Sequence, residues 1–213
     1  ALIQDVEAST ASPVVILASR LLALTAVRPG VARAAEWSEF ENFSLNGADP
    51  APDALWHIPA ARMKLMLDKK GQVEFNHLVP LAPQAVDVLR AVYRLTGRGR
   101  LVFPGHRSIH QPLSVNAIGY LYNRLGYHGQ HVPHGWRAAF STVMNEWAER
   151  RARDDGNESL AKLDKAIIDL MLAHVPKDDV EAAYNRAAYM TRRREIAERW
   201  ASMLLDGAPV AAS

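Results

Sequence analysis

Apolar residues recur three and four apart along most of this chain and alternate over only one short stretch. From Pro13 to Thr25, Ile16, Leu17, Leu21 and Leu24 fall on one side of a predicted helix. It ends at Ala26-Val27-Arg28-Pro29-Gly30, where Pro29 and Gly30 break the pattern. A short helix is expected from Val31 to Trp37, and the Asn, Gly, Pro and Asp of residues 41–53 read as a loop. Three strand-like runs follow: Leu55 to Pro59, Arg62 to Leu67 and Gln72 to Leu81. The second alternates, with Met63, Leu65 and Leu67 on one face and Arg62, Lys64 and Met66 on the other. The polar turn Asp68-Lys69-Lys70-Gly71 then gives a hairpin signal.

The remainder reads as helix. Pro83 to Leu95 carries Val86, Leu89, Val92 and Tyr93, and Leu101-Val102-Phe103-Pro104-Gly105 turns into a loop. Ser114 suits an N-cap for a helix to Leu125, with Ile118, Leu121, Tyr122 and Leu125 inside. Pro133 suits the first turn of the next helix, in which Trp136, Phe140, Val143 and Trp147 make the apolar stripe. After a break at Asp154-Asp155-Gly156-Asn157, the stripe of Leu160, Leu163, Ile167, Leu170 and Met171 ends near Ala173-His174-Val175-Pro176. Asp178 and Asp179 open a helix with Val180, Ala183, Tyr184 and Ala187 on one face. A closing helix from Thr191 to Leu205 buries Ile196, Trp200, Met203 and Leu204. The expected fold is mainly α (α+β), with a small three-stranded antiparallel sheet. The expected division is an irregular, flexible start over 1–12, one domain over 13–205 and a short alanine-rich tail over 206–213.

Composition narrows this little. The 213 residues suffice for one sizeable core, and 49% apolar with 23% charged is ordinary for a globular chain. No apolar run is long enough to span a bilayer. The absence of cysteine excludes disulfides, thiolate metal sites and cysteine nucleophiles, and fits a reducing compartment. A net charge of +2 does not itself predict a nucleic-acid partner. The arginines of 150–153 and 192–194 read first as solvated helix faces.

Candidate chemistry is scattered in four places. In the helix that starts near Pro133, His134, Arg137, Ser141 and Asn145 fall opposite the apolar stripe. An imidazole and a permanent cation at a helix N-terminus suit a phosphate, though a polar cap and a surface charge explain the pair equally well. Arg28 sits in a helix-breaking turn, Lys64 on a strand where exposed lysines are common, and His174 ten residues before Tyr184. His174 also reads as a helix C-cap and Tyr184 as a core tyrosine with a satisfied hydroxyl. His128, His131 and His134 are spaced by three like metal ligands, but Pro133 interrupts them and no carboxylate or fourth ligand stands near.

In order along the chain, these signals resemble the tyrosine recombinases, or phage integrase family, and most closely the integrases of prophages and genomic islands. Thr25-Ala26-Val27-Arg28-Pro29-Gly30 with Trp37-Ser38-Glu39-Phe40 looks like the first arginine box. Trp56-His57-Ile58-Pro59-Ala60-Ala61-Arg62-Met63-Lys64 looks like the lysine hairpin, and Asn76-His77-Leu78-Val79-Pro80-Leu81 its return strand. Pro133-His134-Gly135-Trp136-Arg137 with Phe140-Ser141-Thr142 is similar to the second box. Leu172-Ala173-His174-Val175 and Ala182-Ala183-Tyr184-Asn185-Arg186-Ala187 look like the nucleophile box. The likeness runs from about Pro13 to Leu205.

The resemblance implies DNA strand cleavage and rejoining through a covalent 3′-phosphotyrosine on Tyr184. Arg28 and Arg137 would hold the nonbridging oxygens, Lys64 would protonate the departing 5′-oxygen, His134 would assist proton transfer at the tyrosine or hold the phosphate, and His174 would donate a hydrogen bond to it. It implies no metal and no nucleotide cofactor. It implies double-stranded attachment-site DNA as partner, a tetramer on two duplexes from a chain that is monomeric when free, and a bacterial or phage-encoded cytoplasmic protein acting on the nucleoid. The tail is expected to dock on a neighbouring copy. Three departures stand out. Val31 occupies a position that is usually acidic in the family, Lys69 and Lys70 share the loop after Lys64, and the chain starts almost at the catalytic region, without the family's N-terminal DNA-binding segment. Two rival readings remain: an impaired, integrase-derived DNA-binding remnant, and a helical interaction module in which these residues are all structural. Type IB topoisomerases share the chemistry, but the spacing of the boxes is that of integrases.

Overall fold

Helix α2, Pro13–Thr25, is buried almost all round, with Leu17, Ala18, Leu21, Leu22, Ala23 and Leu24 at most 9% exposed. A helix apolar on every side belongs at the centre of a core, and the other elements pack around it. A computed structural model of the chain describes residues 1–173 and 189–206. Its helices are α1 (Leu2–Glu7), α2, α3 (Pro29–Arg33), α4 (Pro83–Thr96), α5 (Ala117–Tyr122), α6 (Gly135–Asp154), α7 (Glu158–Met171) and α8 (Met190–Leu205). No described helix is long and apolar enough to cross a membrane.

The fold is mainly α with a small antiparallel sheet, as the apolar pattern predicts. Both ends of α2 fall where expected, and α4 and α8 begin or end within one residue of expectation. Several details differ. Residues 1–12 are not wholly irregular, because α1 forms there and buries Val6. Its Glu7 pairs with Arg20 of α2, and its Asp5 accepts a hydrogen bond from the Tyr127 hydroxyl at 2.5 Å. The short helix α3 begins at Pro29 rather than Val31. Helix α5 starts at Ala117 behind Asn116, not at Ser114.

The three strands are β1 (Phe40–Glu41), β2 (Leu55–Ile58) and β3 (His77–Pro80), in the order β1-β2-β3. Phe40 faces Trp56, and Trp56 faces Val79. The alternating run from Arg62 to Leu67 is not a strand. It folds into tight 3₁₀ turns at Ala60–Arg62 and Leu67–Lys69, leaving Met66 and Leu67 72% and 87% exposed. Its expected place in the sheet is taken by β1, at the edge of the stretch read as a loop. Pro104–Gly105 (β4) and Ser108–Pro112 (β5) form a second, separate hairpin where a loop is expected.

A buried polar chain ties the helices together. The Tyr122 hydroxyl lies 2.7 Å from the Ser19 hydroxyl and accepts from the Trp136 indole at 2.9 Å. This joins α5 to α2 and α6, and satisfies groups that would be costly to bury alone. Trp200 of α8 donates to the Ala23 carbonyl of α2 at 2.9 Å.

Candidate phosphate-binding site

The site is built where α2 ends. Ala26 closes that helix in the left-handed region, with φ 49°, and its N–H still reaches the Leu22 carbonyl at 2.9 Å. The reversal lets the chain restart two residues later, with Arg28 as the N-cap of α3 and Pro29 in its first turn. The Arg28 guanidinium is half-buried and has no hydrogen-bond partner among the described residues. Burial pulls its pKa below the ordinary arginine value.

Arg137 meets it from α6. The helix wheel puts Arg137 on the polar side, yet the residue is only 7% exposed. Its Nη1 donates to the Ala26 carbonyl at 3.0 Å and its Nη2 to the Leu172 carbonyl at 2.6 Å. Burial first, and then repulsion by Arg28, lowers its pKa to about 10, so it stays charged at neutral pH. The buried row of α6 is accordingly Trp136, Phe140, Met144, Ala148 and Ala152 beside Arg137, with Val143 and Trp147 only partly covered. Arginine has five donors, so the two carbonyls leave others for a phosphate oxygen.

His134 is the N-cap of α6, one turn before Arg137, and its ring is exposed. Pro133 therefore lies just outside the helix. The structure thus brings Arg28 and Arg137 together, with His134 one helical turn before Arg137 at the start of α6. Lys64 stands apart. It is exposed on the irregular connection between β2 and β3. His174, Tyr184 and the helix expected from Asp178, like the tail from 207, lie outside the described residues. The flanks of that segment are anchored, by Arg137 to Leu172 and by Arg193 of α8 to the Leu78 carbonyl of β3.

Sequence reasoning misses two residues here. His131, weighed there only as a metal ligand, packs its ring 4.6 Å from Trp136 and 5.7 Å from Tyr122. A Cβ on Gly135 would come to 3.0 Å from that ring, so any larger residue there would have to push the imidazole aside. Among the described residues no three His, Asp or Glu side chains gather as metal ligands. Arg62, read as one polar strand position, reaches Glu39 and the Val31 carbonyl. Those partners are 23 and 31 residues away, which no local pattern reveals.

His131 yields a pH prediction. Its Nε2 is buried without a hydrogen-bond partner among the described residues, and burial holds the imidazole below its ordinary pKa of 6.5. The unfolded chain therefore takes up a proton that the folded site resists. The contribution to stability is present above pH 6.5 and is lost as pH falls below that value through the lower folded pKa. Thermal unfolding from pH 7 to pH 5 should show a loss that His131→Phe reduces. An identical slope in both proteins would overturn the assignment.

No protein-family model and no solved structure matches the chain. Curated sequences do. It is 33% identical over 181 residues to the prophage integrase IntA of Escherichia coli K12, covering 85% of this chain and 36% of that protein. It is 35% identical over 187 residues to the prophage integrase IntZ of the same strain, covering 88% and 39%. The integrase of Shigella phage Sf6 is 30% identical over 196 residues, covering 91% and 42%. The chain thus spans about two fifths of the length of these relatives. With this likeness running over most of its residues, and with a mainly helical fold that carries a small three-stranded antiparallel sheet, the chain belongs to the phage integrase family, the tyrosine recombinases.

Proposed function

We propose that the protein is a site-specific recombinase that integrates or excises a prophage or genomic island through a covalent 3′-phosphotyrosine. The observation that carries this reading is the pairing of Arg28 with Arg137 at the start of α6, close enough for the Arg28 charge to be felt at Arg137. Two like charges held together by a fold await an anion, and a phosphodiester supplies one.

In this reading Tyr184 attacks the scissile phosphorus, its Oη–P bond forms and the P–O5′ bond breaks. Arg28 and Arg137 hold the nonbridging oxygens as charge builds, His134 takes up the proton that the Tyr184 hydroxyl loses, and His174 donates a hydrogen bond to the phosphate. Lys64 gives its proton to the departing 5′-oxygen. Bond energy is kept in the phosphotyrosine, so rejoining needs no nucleotide, and the cations already present serve in place of a metal. Residues 13–205 form the catalytic domain. It acts on double-stranded attachment sites in the cytoplasm, as a tetramer on two duplexes, with the tail of one copy docked on the next. Strand cleavage of this kind is shared with type IB topoisomerases.

The test is a nicked suicide duplex carrying the attachment core, mapped first from the junctions formed in vivo. The full-length protein should give a covalent adduct on a denaturing gel, and Tyr184→Phe none. A second reading, an impaired DNA-binding remnant, is favoured by Val31, which offers Arg28 no carboxylate. Salt-dependent binding of the same duplex without any adduct from the parent would select it. Absence of both would select the helical interaction module.

A further inference from the structure

Arg62 joins three parts of the site region that are distant in sequence. Its side chain is 19% exposed. Nη1 donates to the Glu39 carboxylate, and Nη2 donates to the Val31 carbonyl at 2.6 Å. Glu39 is itself 6% exposed, and its other oxygen accepts the Trp56 indole of β2 at 2.9 Å. Val31 belongs to the one-turn helix that Arg28 caps, and its N–H reaches the Arg28 carbonyl at 2.8 Å. One guanidinium therefore grips the sheet through Glu39 and the Arg28 helix through Val31. Lys64 follows two residues later, and two residues of chain reach at most about 7 Å.

The far end of the same connection is pinned as well. The Ala60 N–H donates to Asn76 Oδ1 at 2.8 Å, and Asn76 Nδ2 lies 2.8 Å from His57 Nε2. The base of the 60–76 connection is thus closed, while Met66, Leu67 and Val73 above it stand exposed. With no strand to fix Lys64, its placement depends on that base. Structural support of the sheet alone would not need the bond to Val31, which leads to Arg28.

We propose that Arg62, seated on Glu39, is the positioning residue that sets Lys64 against the phosphate held by Arg28 and Arg137. The inference rests on the reading in which Lys64 protonates the 5′-oxygen. It also separates two kinds of defect. Loss of a phosphate-holding arginine harms cleavage whatever the leaving group, whereas misplacing the acid harms it only when the leaving group needs a proton. Sulfur in place of the bridging 5′-oxygen removes that need, because a thiol, with a pKa of about 8.5, ionises far more readily than an alcohol. In that substrate the P–S bond breaks and the thiolate departs without a proton.

The experiment uses the full-length protein with two nicked duplexes that differ only in the scissile 5′-oxygen or 5′-sulfur. Arg62→Ala should slow cleavage of the oxygen substrate by about 100-fold, the cost of roughly an ångström of misplacement. It should cleave the sulfur substrate within a few-fold of the parent. Lys64→Ala should follow the same pattern, and Arg28→Ala should be slow on both. Arg62→Lys, whose single ammonium cannot fork to both acceptors, should fall between parent and Arg62→Ala on oxygen alone. Equal losses of Arg62→Ala on both substrates, or no loss, overturn the positioning role. If Lys64→Ala is not rescued by sulfur, the general-acid reading itself fails. If Lys64→Ala is rescued and Arg62→Ala is not, only the positioning inference fails. Should Arg62→Ala not fold, as judged by circular dichroism, Glu39→Gln and Arg62→Lys carry the same comparison.

Discussion

Arg137→Ala should lower the stability of the fold and slow DNA cleavage together. The substitution strips the donors from the Ala26 and Leu172 carbonyls, on residues 1% and 2% exposed. Leaving a buried acceptor unpaired costs about 1–3 kcal/mol. Against that stands the relief of removing a desolvated cation beside Arg28, the same strain that lowers its pKa to about 10. We expect the carbonyls to win, with a net loss of about 2–4 kcal/mol. Cleavage of the suicide duplex should fall by about 100- to 1000-fold, the usual cost of removing one donor from a developing oxyanion. Arg137→Lys keeps the charge but cannot bridge both carbonyls, so it should recover little. Urea titration and adduct-formation rates measure the two effects. If the Arg137→Ala protein is as stable as the parent, the carbonyl clamp is not what holds the end of α2 to Leu172.

The second large effect belongs to the pair under α8. Asp164 of α7 is 2% exposed, and Arg192 grips it with both arms of its fork, Nε at 2.7 Å and Nη2 at 2.5 Å. The same guanidinium lies 5.2 Å from the Trp147 ring of α6. The bonds to Asp164, more than those to exposed Glu195, raise the Arg192 pKa above its ordinary value. Arg192→Met leaves a buried carboxylate without a counter-charge, which costs about 3–5 kcal/mol. At roughly 2–4 °C per kcal/mol for a chain of this size, Tm should fall by roughly 6–20 °C. Adding Asp164→Leu should restore most of the loss, because an apolar pair of similar volume replaces a buried ion pair at little cost. Calorimetry of the two single variants and the double decides it. A double variant no better than Arg192→Met would mean that the guanidinium's packing on Trp147, and not the ion pair, holds α8 down.

Much of the architecture is legible in residue order because helices are local. The stripe of Ile16, Leu17, Leu21 and Leu24 and the breakers after Thr25 are enough to bound α2. The failures arise where distant partners override a local pattern. The alternation from Arg62 to Leu67 satisfies a strand template, but a strand needs a neighbour. Trp56 pairs instead with Phe40, sixteen residues back, while Arg62 is drawn to Glu39 and Val31. Likewise the helix wheel correctly groups His134 and Arg137 on one turn. It cannot show that two main-chain carbonyls, 111 and 35 residues away, draw the arginine inside. Arg28 and its nearness to Arg137 became legible only through the order of the family's boxes, not through any spacing within them.

The borders of the sheet carry a consequence for how this chain meets others. A strand edge with free N–H and C=O groups invites a second chain to add itself, which is a route to aggregation. Here one border is β1, only two residues long and ending in Glu41. The other is β3, whose Leu78 carbonyl is capped by Arg193 and whose Pro80 has no N–H to offer. Neither border is a template for another strand, so copies can crowd together at high local concentration without zipping through this sheet.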